Sequence, residues 1–211
     1  MSRFAALLAI LSLLILSCGE KTEEGKVAEM KAAEEKASTS HEKKAPVSQA
    51  IKTDYDYNPT VVVETDFGNI EIQVFFDKSP EHSKNFMKLV NSGFYDGLIF
   101  HRVIPGFVIQ GGDPYGVGTG GPGYYLPVEK SGLHHETGSI AMAQSAQGIS
   151  GSQFFICLAP QPHLDKQFNV FAKVTSGMEA ANKIASVSRD KKGKPSEDVV
   201  MKKLYEKKPT G

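Results

Sequence analysis

The run Phe100-His101-Arg102-Val103-Ile104-Pro105-Gly106-Phe107-Val108-Ile109-Gln110-Gly111-Gly112-Asp113 decides how this chain is read. Short β-prone stretches over Ile99–Ile104 and Phe107–Gln110 lie on either side of Pro105-Gly106. Outward from them, Ser139–Ala143, Gln153–Leu158 and Phe168–Thr175 read as further strands, and the alternating run Val199–Tyr205 as a last one. Upstream, Thr60–Thr65 and Ile70–Phe76 are β-rich runs joined by Asp66-Phe67-Gly68-Asn69, a hairpin signal. Two helices stand apart from these. Ser79-Pro80-Glu81 reads as N-cap, first helical residue and first-turn acid, with Phe86, Leu89 and Val90 as the apolar face and Gly93 as the stop. Met178–Ala185 is the second. Many short strands with Gly-rich turns and two separated helices predict a mainly β domain, a closed or nearly closed barrel capped by helices.

Composition narrows the function. The 211 residues carry 24 basic and 24 acidic side chains, so the net charge is zero. A nucleic-acid groove needs an excess of Lys and Arg on one face, and none shows. Two cysteines, Cys18 and Cys157, exclude a disulfide-stapled fold and a zinc site built on several thiolates.

The Phe100–Asp113 run resembles the signature of cyclophilins, the peptidyl-prolyl cis/trans isomerases. Gly138-Ser139-Ile140-Ala141-Met142-Ala143 and Gly151-Ser152-Gln153-Phe154-Phe155-Ile156 resemble further blocks of that family. Gly118-Thr119-Gly120-Gly121 and Leu164-Asp165 follow the family order, and the likeness spans roughly Thr60 to Tyr205. It implies a closed antiparallel eight-stranded barrel over a domain at 55–208.

The residues also make chemical sense for that activity. Rotation about an X-Pro bond crosses about 18–20 kcal/mol because the amide is resonance-stabilised. No bond breaks, so no nucleophile, metal or cofactor is required. A catalyst must hold the proline ring and favour the twisted amide, whose nitrogen lone pair becomes an acceptor. A guanidinium can donate to it and keeps its charge at every relevant pH. Arg102 is the candidate. The resemblance implies that Gln110 orients Arg102, that Phe107, Phe155 and Leu164 form the floor under the proline ring, and that Gln153 contacts substrate backbone. Ala143 and Gln144 fall where backbone pairs with substrate in a strand-like manner. Read from the residues alone, Phe107, Phe155 and Leu164 could equally be ordinary core.

Some positions depart from the family pattern. Val108 stands where many relatives carry Met, Gln144 replaces Asn, and Phe168 lies where eukaryotic members have His. His163 takes the place of a tryptophan that helps bind cyclosporin, which implies weak sensitivity to that drug. Other signals carry less. Gly116–Gly123 lacks the Lys-Ser/Thr of a phosphate loop and reads as turns. His134-His135-Glu136 has no third metal ligand at a convincing spacing and reads as a solvated loop whose histidines point apart. His101 and Cys157 read as packed, and Lys191-Lys192-Gly193-Lys194 as a solvated turn.

The chain ahead of the domain reads as an address and a tether. Arg3 precedes Phe4–Ser17, a mostly apolar run too short to span a bilayer, as in a secretory signal. Ile15-Leu16-Ser17-Cys18-Gly19 resembles the lipobox of bacterial lipoproteins. Residues 1–17 are then a signal peptide and Cys18 a lipidation site, tying an exported protein to a membrane facing the periplasm or cell surface. An ordinary cleaved signal with a coincidental cysteine is the alternative. Glu20–Lys52 has no aromatic residue and seven Lys against seven Glu. Residues 18–54 therefore read as a flexible charged tether. The expected partners are proline-containing segments of unfolded or exported proteins and the membrane, with no nucleic acid, and the protein is expected to be a monomer. A peptide-binding holdase or surface-interaction lipoprotein is the alternative function.

Overall fold

The alternation of buried and outward side chains builds one curled sheet, seen in a computed structural model that describes residues 55–208. The signal run, Cys18 and the tether lie outside the described residues. The strands are β1 (Thr60–Thr65), β2 (Gly68–Val74), β3 (Phe100–Ile104), β4 (Val108–Gly111), β5 (Tyr125–Leu126), β6 (Ser139–Ser145), β7 (Gly148–Cys157), β8 (Val170–Ser176) and β9 (Lys203–Glu206). Eight run in the order β3-β4-β7-β6-β8-β2-β1-β9, and β5 pairs with β7 outside that path. Every ladder is antiparallel. Val61 and Val63 of β1 face the main core with Ile70, Ile72 and Val74 of β2.

Closure, which the sequence led us to expect, is not what the chain does. β3 and β9 end the strand order, and no ladder joins them among the described residues. The sheet is an open, curled half-barrel. Across the gap, Ile99 makes a single bridge to Val200, with Phe100 N donating to Val199 O at 2.9 Å. Next to β3, Gly193 has a φ of +90° and Pro195 lacks an N–H, so this stretch cannot continue as a strand. The expected strand Val199–Tyr205 splits: Val199 and Met201 bond to Phe100 and Leu98, and only its later part, in β9, pairs with β1.

The helices α1 (Pro80–Asn91) and α2 (Met178–Ala185) lay apolar faces on the same core. Phe86 of α1 lies at its centre, with ring centroids of Tyr95, Phe154 and Phe171 at 5.4, 5.6 and 5.2 Å. Ser79 is the N-cap residue of α1, as expected, but its side chain does not cap. The Ser79 hydroxyl donates to Glu129 Oε2 at 2.6 Å, and Glu129 accepts the amides of Glu81 and His82 at 3.0 Å each. A carboxylate fifty residues along the chain takes the cap's place, where it also meets the positive end of the helix dipole. Gly93 does end α1: at φ +67° its N–H bonds Val90 O (2.9 Å) while Phe94 N bonds Leu89 O (3.0 Å).

Candidate active site

The period of two in β4 and β7 places two different sets of side chains on the two faces of the sheet. Ile109, Phe154 and Ile156 enter the main core. Val108, Phe155 and Cys157 point the other way, where with Ala141 and Leu164 they form a second, separate apolar cluster. Phe107, Ala143 and Phe168 are partly buried at its edge. Phe107, Phe155 and Leu164 are thus packed, but on the outer face and not in the barrel core. Phe155 meets Phe168 edge-to-face at 5.3 Å, and His163 stacks on Phe107 at 5.9 Å. The result is an apolar floor with an accessible aromatic rim.

A polar relay borders this floor. Arg102 and Gln110 are cross-strand partners in the β3–β4 ladder. Arg102 Nη1 donates to Gln110 Oε1 at 3.4 Å, Gln110 Nε2 to Gln153 Oε1 at 3.0 Å, and Gln153 Nε2 to Gly120 O at 2.8 Å. The guanidinium carbon stands 5.8 Å from the Phe107 ring centroid, within cation–π reach. The relay leaves the other guanidinium N–H groups available to a ligand. His101, next in sequence, adds no charge: burial pushes its pKa down, against the pull of Asp113 and with that of Arg102. Gln144 is exposed and joins Ala143 in a neighbouring hollow of about 440 Å³ that also includes Gln110, Gln153 and Tyr115. Ala143 sits at the bulge between Met142 and Gln144, past the end of the β6–β8 pairing.

Behind the floor lies a group that the sequence reading passed over. His134 and His135 are not in a strand and do not point apart. His134 Nδ1 and His135 Nδ1 each lie 2.8 Å from an oxygen of Asp165, and His135 N donates to the same carboxylate at 2.8 Å. The His135 ring is buried and stacks on Phe155 at 6.1 Å. Since Asp165 follows Leu164, this carboxylate fastens the floor's Pro162–Leu164 3-10 turn to the loop before β6. The hydrogen bond from His134, then those from the His135 backbone and ring, hold the Asp165 carboxyl well below the usual carboxylate range. The same bond and the charge of Asp165 raise His134. The pair's contribution to stability is full between about pH 4 and pH 6.5, the ordinary values of the two groups. It is lost as pH falls through the depressed carboxyl value, and on the other side as pH rises through the raised imidazole value. In Asp165→Asn, His134 is expected to titrate close to an ordinary imidazole when its ring proton is followed by NMR. An unchanged titration would break the assignment.

The structure brings together the expected Arg102, Gln110 and Gln153 beside Phe107, Phe155 and Leu164, and adds the Gly120 carbonyl and the Asp165 clasp, which sequence reasoning missed. The paired histidines were the available signal, though nothing local names their acceptor. Cys157 is buried in the floor, and burial pushes its thiol up to about 12, so it is no nucleophile at neutral pH.

The outer face thus carries an apolar floor bordered by one cation, Arg102, held through two glutamines. The sequence profile described as cyclophilin type peptidyl-prolyl cis-trans isomerase/CLD matches residues 60–206. Peptidyl-prolyl cis-trans isomerase B of Bacillus subtilis is 51% identical over 123 residues, covering 57% of this chain and 86% of that protein. A peptidyl-prolyl cis-trans isomerase of Synechococcus elongatus is 46% identical over 134 residues, covering 60% and 92%. A Cryptosporidium parvum cyclophilin-type isomerase, whose crystal structure was determined in the presence of the dipeptide Ala-Pro, superposes with a TM-score of 0.64 at 31% identity, over 71% of this chain and 99% of its own. The chain belongs to the cyclophilin-type peptidyl-prolyl cis-trans isomerase family.

Proposed function

We infer that the outer-face floor receives the proline ring of a polypeptide and that Arg102 accelerates rotation of the preceding amide, assisting protein folding. The juxtaposition that carries this reading is Arg102 over the Phe107 ring, held through Gln110 and Gln153 to the Gly120 carbonyl. The ring binds Phe107, Phe155 and Leu164, with Val108 and Phe168 as walls, by burial of apolar surface. Ala143 and Gln144, at the bulge, pair with the flanking backbone. As the amide twists, its nitrogen lone pair localises, and an N–H of Arg102 donates to it. That bond exists only in the twisted state, so it lowers the barrier without tightening ground-state binding. A holdase needs the floor but not the guanidinium relay. The test is a protease-coupled assay on a prolyl peptide. Turnover that is absent, or equal in Arg102→Ala, overturns the reading.

The domain acts from a membrane. The apolar run ending at Cys18 supports cleavage after residue 17, acylation of Cys18 and export, with Glu20–Lys52 as a spacer between the anchor and a monomeric domain that reaches exported clients. Wild type is expected in the detergent phase of a Triton X-114 partition, and Cys18→Ala in the aqueous phase. Equal partitioning removes the anchor.

A further inference from the structure

The loop after α2 brings a second set of cations to Arg102. Arg189 and Pro195 form an isolated bridge, Asp190 N donates to Lys194 O at 2.9 Å, and Gly193 N donates to Asp190 O at 3.1 Å. The Asp190 carboxylate accepts the amides of Lys192 and Lys194 at 2.8 and 2.9 Å. The loop is therefore fixed from within. At its tip the Gly193 carbonyl accepts Val103 N–H at 2.7 Å. A Cβ on Gly193 would lie 3.4 Å from Arg102 Cγ, so the loop rests on the stem of that arginine.

Lys191, Lys192 and Lys194 are all exposed. Among the described residues, none of the three forms an ion pair. Within the loop, Asp190 is the one carboxylate against these lysines and Arg189. The acids that follow, Glu197 and Asp198, border a different groove with Phe67 and Val187. The loop that rests on the Arg102 stem thus carries Arg189 and three lysines against the single carboxylate of Asp190, although the whole chain is neutral.

We propose that Lys191, Lys192 and Lys194 form a cationic rim that selects polypeptide clients with an acidic residue flanking the proline at the Arg102 end of the groove. This rests on the placement of Arg102 in the groove. Exposed charges act through water over roughly a Debye length, about 10 Å at 0.1 M salt, so the rim favours encounter and flanking contacts without altering the rotation itself. The expected signature is a substrate preference that salt removes.

The experiment compares matched prolyl peptides carrying Glu, Gln or Lys on either side of the proline, using the full chain. At low salt kcat/KM is expected to be about tenfold higher for Glu than for Lys at one flank, and nearly equal at 0.5 M salt, a concentration at about which screening is strong. The triple variant Lys191→Gln, Lys192→Gln, Lys194→Gln is expected to lose that ratio while turning over the Gln peptide at the wild-type rate. An unchanged ratio in the triple variant, or no ratio in wild type, overturns the rim alone. Equal turnover of the Gln peptide by wild type and Arg102→Ala overturns the site placement and the rim with it. If the variant keeps the peptide ratio but stops co-sedimenting with vesicles containing phosphatidylglycerol, the lysines serve a membrane surface and the proposal fails.

Discussion

Arg102→Ala is expected to lower kcat/KM on a prolyl peptide about a thousandfold, the equivalent of roughly 4 kcal/mol of selective stabilisation of the twisted amide. The fall belongs in kcat with KM little changed, because the bond to the nitrogen lone pair does not exist in the planar ground state. Stability is expected to stay close to wild type. Arg102 is half-buried on the outer face, outside the main core, and its side-chain hydrogen bond to Gln110 is long at 3.4 Å. Arg102→Lys is expected to recover only a small part of the rate, since an ammonium cannot bond Gln110 and the amide with one planar fork. The measurement is steady-state kinetics of both variants with thermal melts alongside. A loss below tenfold, or a loss carried by KM alone, would remove Arg102 from the chemical step.

Gly112→Ala is expected to damage the fold and the site together, costing about 4 kcal/mol and lowering Tm by roughly 10 °C or more. Gly112 has a φ of +84°, and an added Cβ would sit 2.4 Å from the Ser152 carbonyl oxygen, 3.1 Å from Tyr95 and 3.2 Å from Phe154. None of these can retreat. Ser152 O already accepts the Tyr95 hydroxyl at 3.1 Å, and both rings are fully buried. Moving Ser152 would also shift Gln153, the next residue in β7 and a member of the Arg102 relay, so activity is expected to fall with stability. Gly97→Ala is the control. Its φ is +79° but open space surrounds it, so it isolates the dihedral cost of about 1 kcal/mol. If the two variants melt together, the close approach at Gly112 carries no weight.

How much could be read beforehand varies with the distance over which each feature is determined. β1 and α2 appear at their expected residues, because alternation and helical periodicity are written in consecutive side chains. β6 and β7 run further than expected, through Gln144–Ser145 and Gly148–Ser152. Their polar ends pair in water and against β5, so no apolar alternation marks them. The signature run, with the Gln153–Phe155 block, pointed to Arg102, Gln110, Phe107 and the floor as one site. Whether those aromatics were core or groove stayed open until the strands were placed. Strand parity then assigned Phe154 inward and Phe155 outward.

Taken alone, the sequence determined the family, the run of strands and helices, the uncharged average and the residue types that a proline-twisting site needs. These follow from local sterics, from period, and from a signature confined to a few contiguous blocks. Tertiary structure alone decided what meets across long separations. It placed Glu129 on the start of α1, joined Asp165 to His134 and His135, gave Gln153 the Gly120 carbonyl, left the sheet open at β3, and set a lysine loop against Arg102. Such partners are chosen by packing and by the need of each buried polar group for a mate, and many neighbours in the sequence could have served. The neutral total of the chain shows the difference well: composition fixes the sum of the charges, and only the folded chain determines which of them gather beside the arginine.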